Sequence, residues 1–322
     1  MIGIEKVVAV FPPNAVAATQ LPVLQTLGRE QRTFFETLGI ESVRVADDAS
    51  ASDLAAAATK KLVSTMAEPP DMFILIAPRL PEALVASEAL RVMARAGLEP
   101  VPAFSVGDLG CASVAAALAI GEAFMTSNPR IRKIVFAHGS HATERSRLRF
   151  PVTIHGDCGF AFLMSRTPRV KIVASRLETN PEYADLFRID FATKPASEWE
   201  EECTDLQTYS FKLAVESRNR FLRLNEEVLT SAAVGMESVD HVVMQNLSDA
   251  AFAFYEQALD INVAPVCRRN LRSYGHLGPV DVILNVFVGI ASAEIHSGDR
   301  VLALNNAPVA AWSSMLLEVV PE

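Results

Sequence analysis

Short apolar runs alternating with helical patterns are the feature that most restricts how this chain can fold. KVVAVF, the residues near SVRVAD, MFILIAP and PAFSV read as buried strands. Between them, the segments around 24–38, 52–66 and 83–96 repeat their apolar positions at helical spacing. CASVAAALAIGEAFM then predicts an alanine-rich helix, with KIVFAHG and FAFLMS as further strands. Strands separated by helices bury a sheet beneath helical layers, so the pattern predicts the α/β class.

A second series starts near Val170. RVKIVASRLE predicts a strand, YSFKLAVESRNRFLRLNEEVLTSAAV a long helix, HVVMQNL a strand and VDVILNVFVGIASAEIH a buried helix. RVLALNN and SSMLLEVV read as closing strands, and HATERSRLRFP at 141–151 as a charged excursion. Two related α/β halves, 1–168 and 169–322, account for this order better than one long barrel, and no short repeat or low-complexity linker is evident.

With 322 residues, half of them apolar and 21% charged, the chain can bury a large core. The net charge of −9 offers no general footprint for nucleic acid. The N-terminal MIGIEKVVAVFPP lacks the basic region and apolar block of a signal peptide, and no uninterrupted apolar run nears the ~18 residues of a membrane span. These readings predict a cytoplasmic protein without nucleic-acid or membrane partners. The four cysteines, 111, 158, 203 and 267, are widely spaced, which predicts reduced thiols and no zinc site.

In SVGDLGCASVAAALAIGEAFM, Cys111 follows a strand and a glycine turn at the opening of a helix, where backbone N–H groups and the helix dipole favour a thiolate. It is either an acyl nucleophile or part of a tightly packed core helix. Thiol acyl transfer needs a histidine to manage protons and a group to orient it. YGHLGPVD supplies His276 with Asp281 five residues on, although the same stretch also reads as a glycine turn with a capping aspartate. His138 and His141 are alternatives, and their spacing resembles a metal pair without a third ligand.

In combination, GIESVR at 39–44, the GDLGCAS turn, HGDCGFAFLMS at 155–165 and GDRVLALNNAPVAAWSSMLLEV resemble, in order and spacing, the ketoacyl synthase III group of the thiolase superfamily. The resemblance runs over nearly the whole chain and implies a thiolase-like layered fold, with the nucleophile in the first half and a His/Asp loop in the second. Decarboxylating members use a histidine before a glutamine and an asparagine after a later glycine. Here Met244 precedes Gln245, and His276 stands at the asparagine position. This pattern is similar to an atypical branch of natural-product pathways that moves acyl groups without decarboxylation.

The resemblance therefore implies Cys111 as nucleophile, His276 as base and acid, and Asp281 as orienter. The donor would be acyl-CoA or an acyl carrier protein with a phosphopantetheine-linked thioester, and the acceptor a small-molecule or carrier-bound hydroxyl or amine. No tightly bound cofactor or metal is implied, and a homodimer is. The oxyanion hole would combine the Cys111 N–H with that of Ala307 or Val309, because Pro308 between them has none. Arg145, Arg147 and Arg149 are candidates for CoA phosphates or an acidic carrier, and Asn305 and Asn306 for the acceptor site. Asp157 is expected to fix its turn, and Phe34, Phe35, Phe150 and Phe160 to lie mostly in the core. A carbon–carbon condensing synthase and a noncatalytic partner of such an enzyme are the competing readings.

Overall fold

A computed structural model of the chain describes residues 1–195 and 198–321. Its centre is a nine-stranded mixed sheet. In chain order the strands are β1 (Gly3–Val10), β2 (Met72–Ile76), β3 (Ala103–Val106), β4 (Lys133–Ser140), β5 (Cys158–Ser165), β6 (Val170–Thr179), β7 (His241–Met244), β8 (Arg300–Ala307) and β9 (Ala311–Val319). Their order across the sheet is β7-β8-β9-β6-β1-β5-β4-β2-β3.

That order repeats a motif. In the first half β1 pairs antiparallel with β5, β5 antiparallel with β4, and β4 parallel with β2. In the second, β6 pairs antiparallel with β9, β9 antiparallel with β8, and β8 parallel with β7. The two units meet where β1 pairs with β6 through Gly3↔Lys171 and Ile4↔Val170. The fold is thus a layered α/β structure of two related halves.

Strand alternation divides the core into layers. Phe73, Leu75, Val135, Ala137, Ala161 and Leu163 face one way, against helices α1 (Ala51–Val63) and α2 (Glu88–Ala96). Ile74, Ile76, Ile134, Phe136, Phe160 and Phe162 belong to the other cluster, which contains α3 (Ser113–Ser127). In the second half, α4 (Ala214–Ser231) lies over β9, where Trp312 Nε1 donates to Ser217 Oγ at 2.8 Å and Ser314 Oγ to Asn225 Oδ1 at 2.7 Å. Helix α1 approaches closely because the cross-strand pair Gly139↔Gly159 has no side chains. A Cβ at either glycine would lie 1.8–1.9 Å from the carbonyl oxygen of Ala51 or Leu54.

Several local expectations change. SVRVAD yields only Ser42–Arg44, which pairs with Ala15–Ala17 outside the main sheet. The helix expected from 83 begins at Glu88, because the Ser87 hydroxyl accepts from Leu90 N and caps it there. The 141–151 excursion forms a one-turn helix, Glu144–Arg147, and a ribbon pairing Leu148–Arg149 with Thr153–Ile154. Gly110–Ser127 forms an 18-residue helical stretch with a mean hydropathy of 1.3, long and apolar enough to cross a membrane, yet half of it is buried in the fold. The sequence reading expects no such stretch. It arises because a tight turn and α3 run on continuously, with Glu122 their only charge.

Candidate active site

Beyond β3 the chain turns through Gly107 and Asp108 into the 3₁₀ turn Gly110–Ala112 and then α3. Asp108 and Gly110 have φ of +73° and +50°, a left-handed backbone that aspartate and glycine tolerate better than most residues. A Cβ on Gly110 would lie 3.0 Å from Ala307 Cβ, so glycine lets this turn seat against the hairpin between β8 and β9. Cys111 is therefore held, buried, in a 3₁₀ turn ahead of α3. Its carbonyl accepts from Asn305 Nδ2 at 2.6 Å.

The histidine arrives from the other half. Helix α5 (Pro265–Tyr274) stops at Gly275, whose φ is +64°. His276 then bridges the halves: its N–H donates to Ile154 O and its carbonyl accepts from Gly156 N, each at 3.0 Å. Its Nε2 lies 3.0 Å from Cys111 Sγ and its Nδ1 2.6 Å from Asp281 Oδ2. Asp281 opens helix α6 (Asp281–Ala291), and its Oδ2 also accepts from Asn246 N at 2.9 Å and its Oδ1 from Leu277 N at 3.0 Å. These donors fix the carboxylate, and the carboxylate in turn selects the Nδ1–H tautomer of His276.

Burial opposes a charge on His276, but the Cys111 sulfur and the Asp281 carboxylate outweigh it and raise its pKa to about 10. The arrangement favours an imidazolium next to sulfur. Burial pushes the Cys158 thiol up and the Cys267 thiol up to about 12, so both behave as buried protonated side chains.

A cavity of about 560 Å³ opens onto Cys111 and His276. Arg79, His138, His141, Arg149, His155, Glu201, Pro308 and Val309 are among its lining residues. Burial holds the His138 pKa down to about 4. Its Nδ1–H must donate to the Ile76 carbonyl at 3.0 Å, which leaves Nε2 as an acceptor. His141 Nδ1 lies 3.4 Å from Asp157. Among the described residues, no group of three His, Cys, Asp or Glu side chains is placed to hold a metal.

The substrate-binding candidates divide. Arg149 lines the cavity. Arg147 does not: it is buried and its guanidinium is taken up by Asp157, at 2.8 and 3.1 Å, and by the carbonyls of Ala142 and His155. Asp157 also accepts from Ala46 N and Ala142 N, so this pair fixes the turn. Arg145 sits on the exposed side of the one-turn helix, outside the cavity lining. Asn305 is used to anchor the Cys111 backbone. Asn306 exchanges hydrogen bonds with Gln245 at 2.7–2.8 Å, and neither asparagine reaches the cavity. Ala307 is buried against Gly110, while Val309 faces the cavity. Phe34, Phe35 and Phe150 form an edge-to-face cluster and Phe160 is fully buried, all away from the lining.

Sequence reasoning missed four features. Asn285 donates to Met244 O at 2.8 Å and Asn246 Oδ1 at 3.0 Å and accepts from Asn270, tying the VVMQN strand end to α6. The visible signal was one amide inside the apolar run DVILNVFVGIA. His155 lies beside His276 with ring centroids 5.1 Å apart, and its Nε2 is buried without a partner. Arg79 and Glu201 enter from distant segments and carry no local signal.

No protein-family model and no curated protein matches this chain. Solved structures do match. The acyltransferase ChlB3 superposes with a TM-score of 0.83 at 18% identity, covering 99% of this chain and 98% of that one. The 3-oxoacyl-[acyl-carrier-protein] synthase III of Aquifex aeolicus gives 0.80 at 19% identity, covering 99% and 100%. A single-residue variant of OleA from Xanthomonas campestris gives 0.77 at 19% identity, covering 98% and 96%. The chain thus has the thiolase-like fold of ketoacyl synthase III-type proteins.

Proposed function

We propose that this protein is a ketoacyl synthase III-like enzyme that transfers an acyl group without decarboxylation, through a thioester on Cys111. The observation carrying this reading is the buried Cys111–His276–Asp281 relay, with contacts of 3.0 and 2.6 Å. Met244, which stands where a decarboxylating enzyme resembling this chain would have its histidine, paired with an asparagine at the His276 position, is a buried apolar side chain. The likeness of fold to an acyltransferase supports the same choice.

In the first step the Cys111 thiolate attacks the thioester carbonyl of an acyl-CoA or acyl carrier protein, and the departing thiolate takes the His276 proton. In the second, neutral His276 takes the proton of an acceptor hydroxyl or amine as that atom attacks the acyl-enzyme, and the Cys111 thiolate is released beside the re-formed imidazolium. Asp281 stays ionised and holds the ring. The oxyanion would be met by the Cys111 N–H and by Ala307 or Val309 across Gly110. The proposal includes a homodimer, a cytoplasmic setting and no bound metal or redox cofactor.

Intact-protein mass spectrometry after incubation with a panel of acyl thioesters tests this. An acyl adduct absent from C111A, and chased onto an acceptor with unchanged acyl mass, is expected. Carbon dioxide release from malonyl thioester with a β-ketoacyl product would favour the condensing synthase, and a folded protein that takes no acyl group would favour a noncatalytic partner.

A further inference from the structure

We propose that the cavity beside Cys111 contains a subsite for a carboxylate carried by the acyl group or the acceptor, built from Arg79 and Arg149 and occupied in this structure by Glu201. This deepens the acyl-transfer reading and rests on it for the substrate's identity, but not for the site itself. Arg79 follows β2, Arg149 lies in the Leu148–Arg149 ribbon, and Glu201 belongs to the segment between β6 and α4. All three line the cavity.

Glu201 is engaged by both cations. Arg149 Nε donates to its two oxygens at 2.9 and 3.1 Å, Arg149 Nη2 makes a further contact, and Arg79 Nη2 pairs with its Oε2. Arg79 Nη1 also donates to Ser146 O at 3.0 Å, and the Arg149 guanidinium lies over the Phe187 ring at 4.9 Å. One carboxylate thus faces two guanidiniums, leaving one positive charge that it does not balance. The side chains are 26% (Arg79), 10% (Arg149) and 13% (Glu201) exposed, so water screens this excess only in part.

The other carboxylates at the cavity do not cancel it. Glu88 is held by Ser52 Oγ at 2.6 Å and by Arg91 at 2.9 Å, and Asp108 stands at the exposed rim. His155, kept neutral by burial and by the nearby Arg79 charge, adds polarity without adding charge. The Nε and Nη2 donors of Arg149 form the fork by which arginine selects a carboxylate, and Arg79 adds a single Nη2 donor beside it. A substrate carboxylate can take the place of Glu201 on one guanidinium while Glu201 keeps the other, so both charges end up paired.

CoA and carrier thioesters also carry phosphate, so the test uses N-acetylcysteamine thioesters, which have none. One arm compares acylation of Cys111 by glutaryl thioester with acylation by its methyl ester. The other presents carboxylate-bearing acceptors and their methyl esters to the pre-acylated enzyme. At least about a tenfold preference for the carboxylate form is expected in one arm, from loss of a charged hydrogen bond in the ester. R79Q should abolish the preference and E201Q should increase it. A merely structural role for these residues would move both members of each pair equally. Equal rates for carboxylate and ester in both arms, or R79Q and E201Q shifting the preference the same way, would overturn the proposal. Calorimetric titration of C111A with glutarate and with dimethyl glutarate reads the subsite without any acylation. Tighter glutarate binding that is lost in C111A/R79Q supports it even if no donor acylates Cys111, and equal binding of the two probes counts against it.

Discussion

His276 carries an unusual electrostatic load for a side chain with no exposed surface. Its N–H and C=O are tied to the opposite half, one ring nitrogen meets Asp281 and the other meets sulfur. Burial alone would keep such a ring neutral, and the two negative neighbours reverse that outcome. Removing one of them should be visible directly. In C111A the ¹⁵N or ¹³C NMR titration of the His276 ring should move down from about 10. An unchanged or higher midpoint would mean that sulfur contributes nothing to the imidazolium. The residues of this candidate relay could be picked out only through the resemblance to ketoacyl synthase III, because GDLGCAS and YGHLGPVD read alone fit a packed core helix and a capped glycine turn as well. His155 could not be, because its importance comes from Ile154 and Gly156 bridging His276, a contact between residues more than a hundred positions apart.

Periodicity predicts elements well where one face is buried and poorly where a cap or a tertiary partner decides. The buried runs of β2, β4, β5, β8 and β9 could be read directly, whereas Ser87 rather than hydrophobic spacing sets the start of α2. The arginines in RSRLR show the same limit, since alternating charges in a loop do not reveal which one turns inward. Arg147 does, and with Asp157 it links Ala46, Ala142 and His155 behind the cavity. Substituting Arg147→Met leaves Asp157 buried without its counter-charge, a change of the kind that destabilises by about 3–5 kcal/mol. Urea unfolding should show that loss. A shift in R147M below about 1 kcal/mol would mean that the backbone donors and His141 satisfy the carboxylate without Arg147.

The site exists only where the halves meet: the first supplies Cys111 and the cavity histidines 138 and 155, the second His276, Asp281 and the Ala307–Val309 hairpin. The strand order repeats on either side of the β5–β6 connection, and we take the division at 168/169 as the proposed boundary. Neither half has the relay alone, so folding and site assembly are coupled, and the pH dependence of stability should report that coupling. His138 has a depressed pKa and His155 one well below 6.5. Both are neutral in either state above about 6.5. As pH falls below that, the unfolded chain gains protons that the folded chain refuses, so stability is lost as pH falls from about 6.5, down to about 4 for His138. His276 has the opposite sign. Its raised pKa means the folded state keeps a proton the unfolded chain releases, so its contribution is complete below about 6.5 and is lost as pH rises toward about 10. Thermal unfolding of wild type should therefore peak near neutrality and decline on both sides. H276N should flatten the alkaline limb relative to wild type and leave the acid limb in place, and H138Q should flatten the acid limb only. If H276N instead leaves the alkaline limb unchanged, the imidazolium at the junction of the halves does not stabilise the fold.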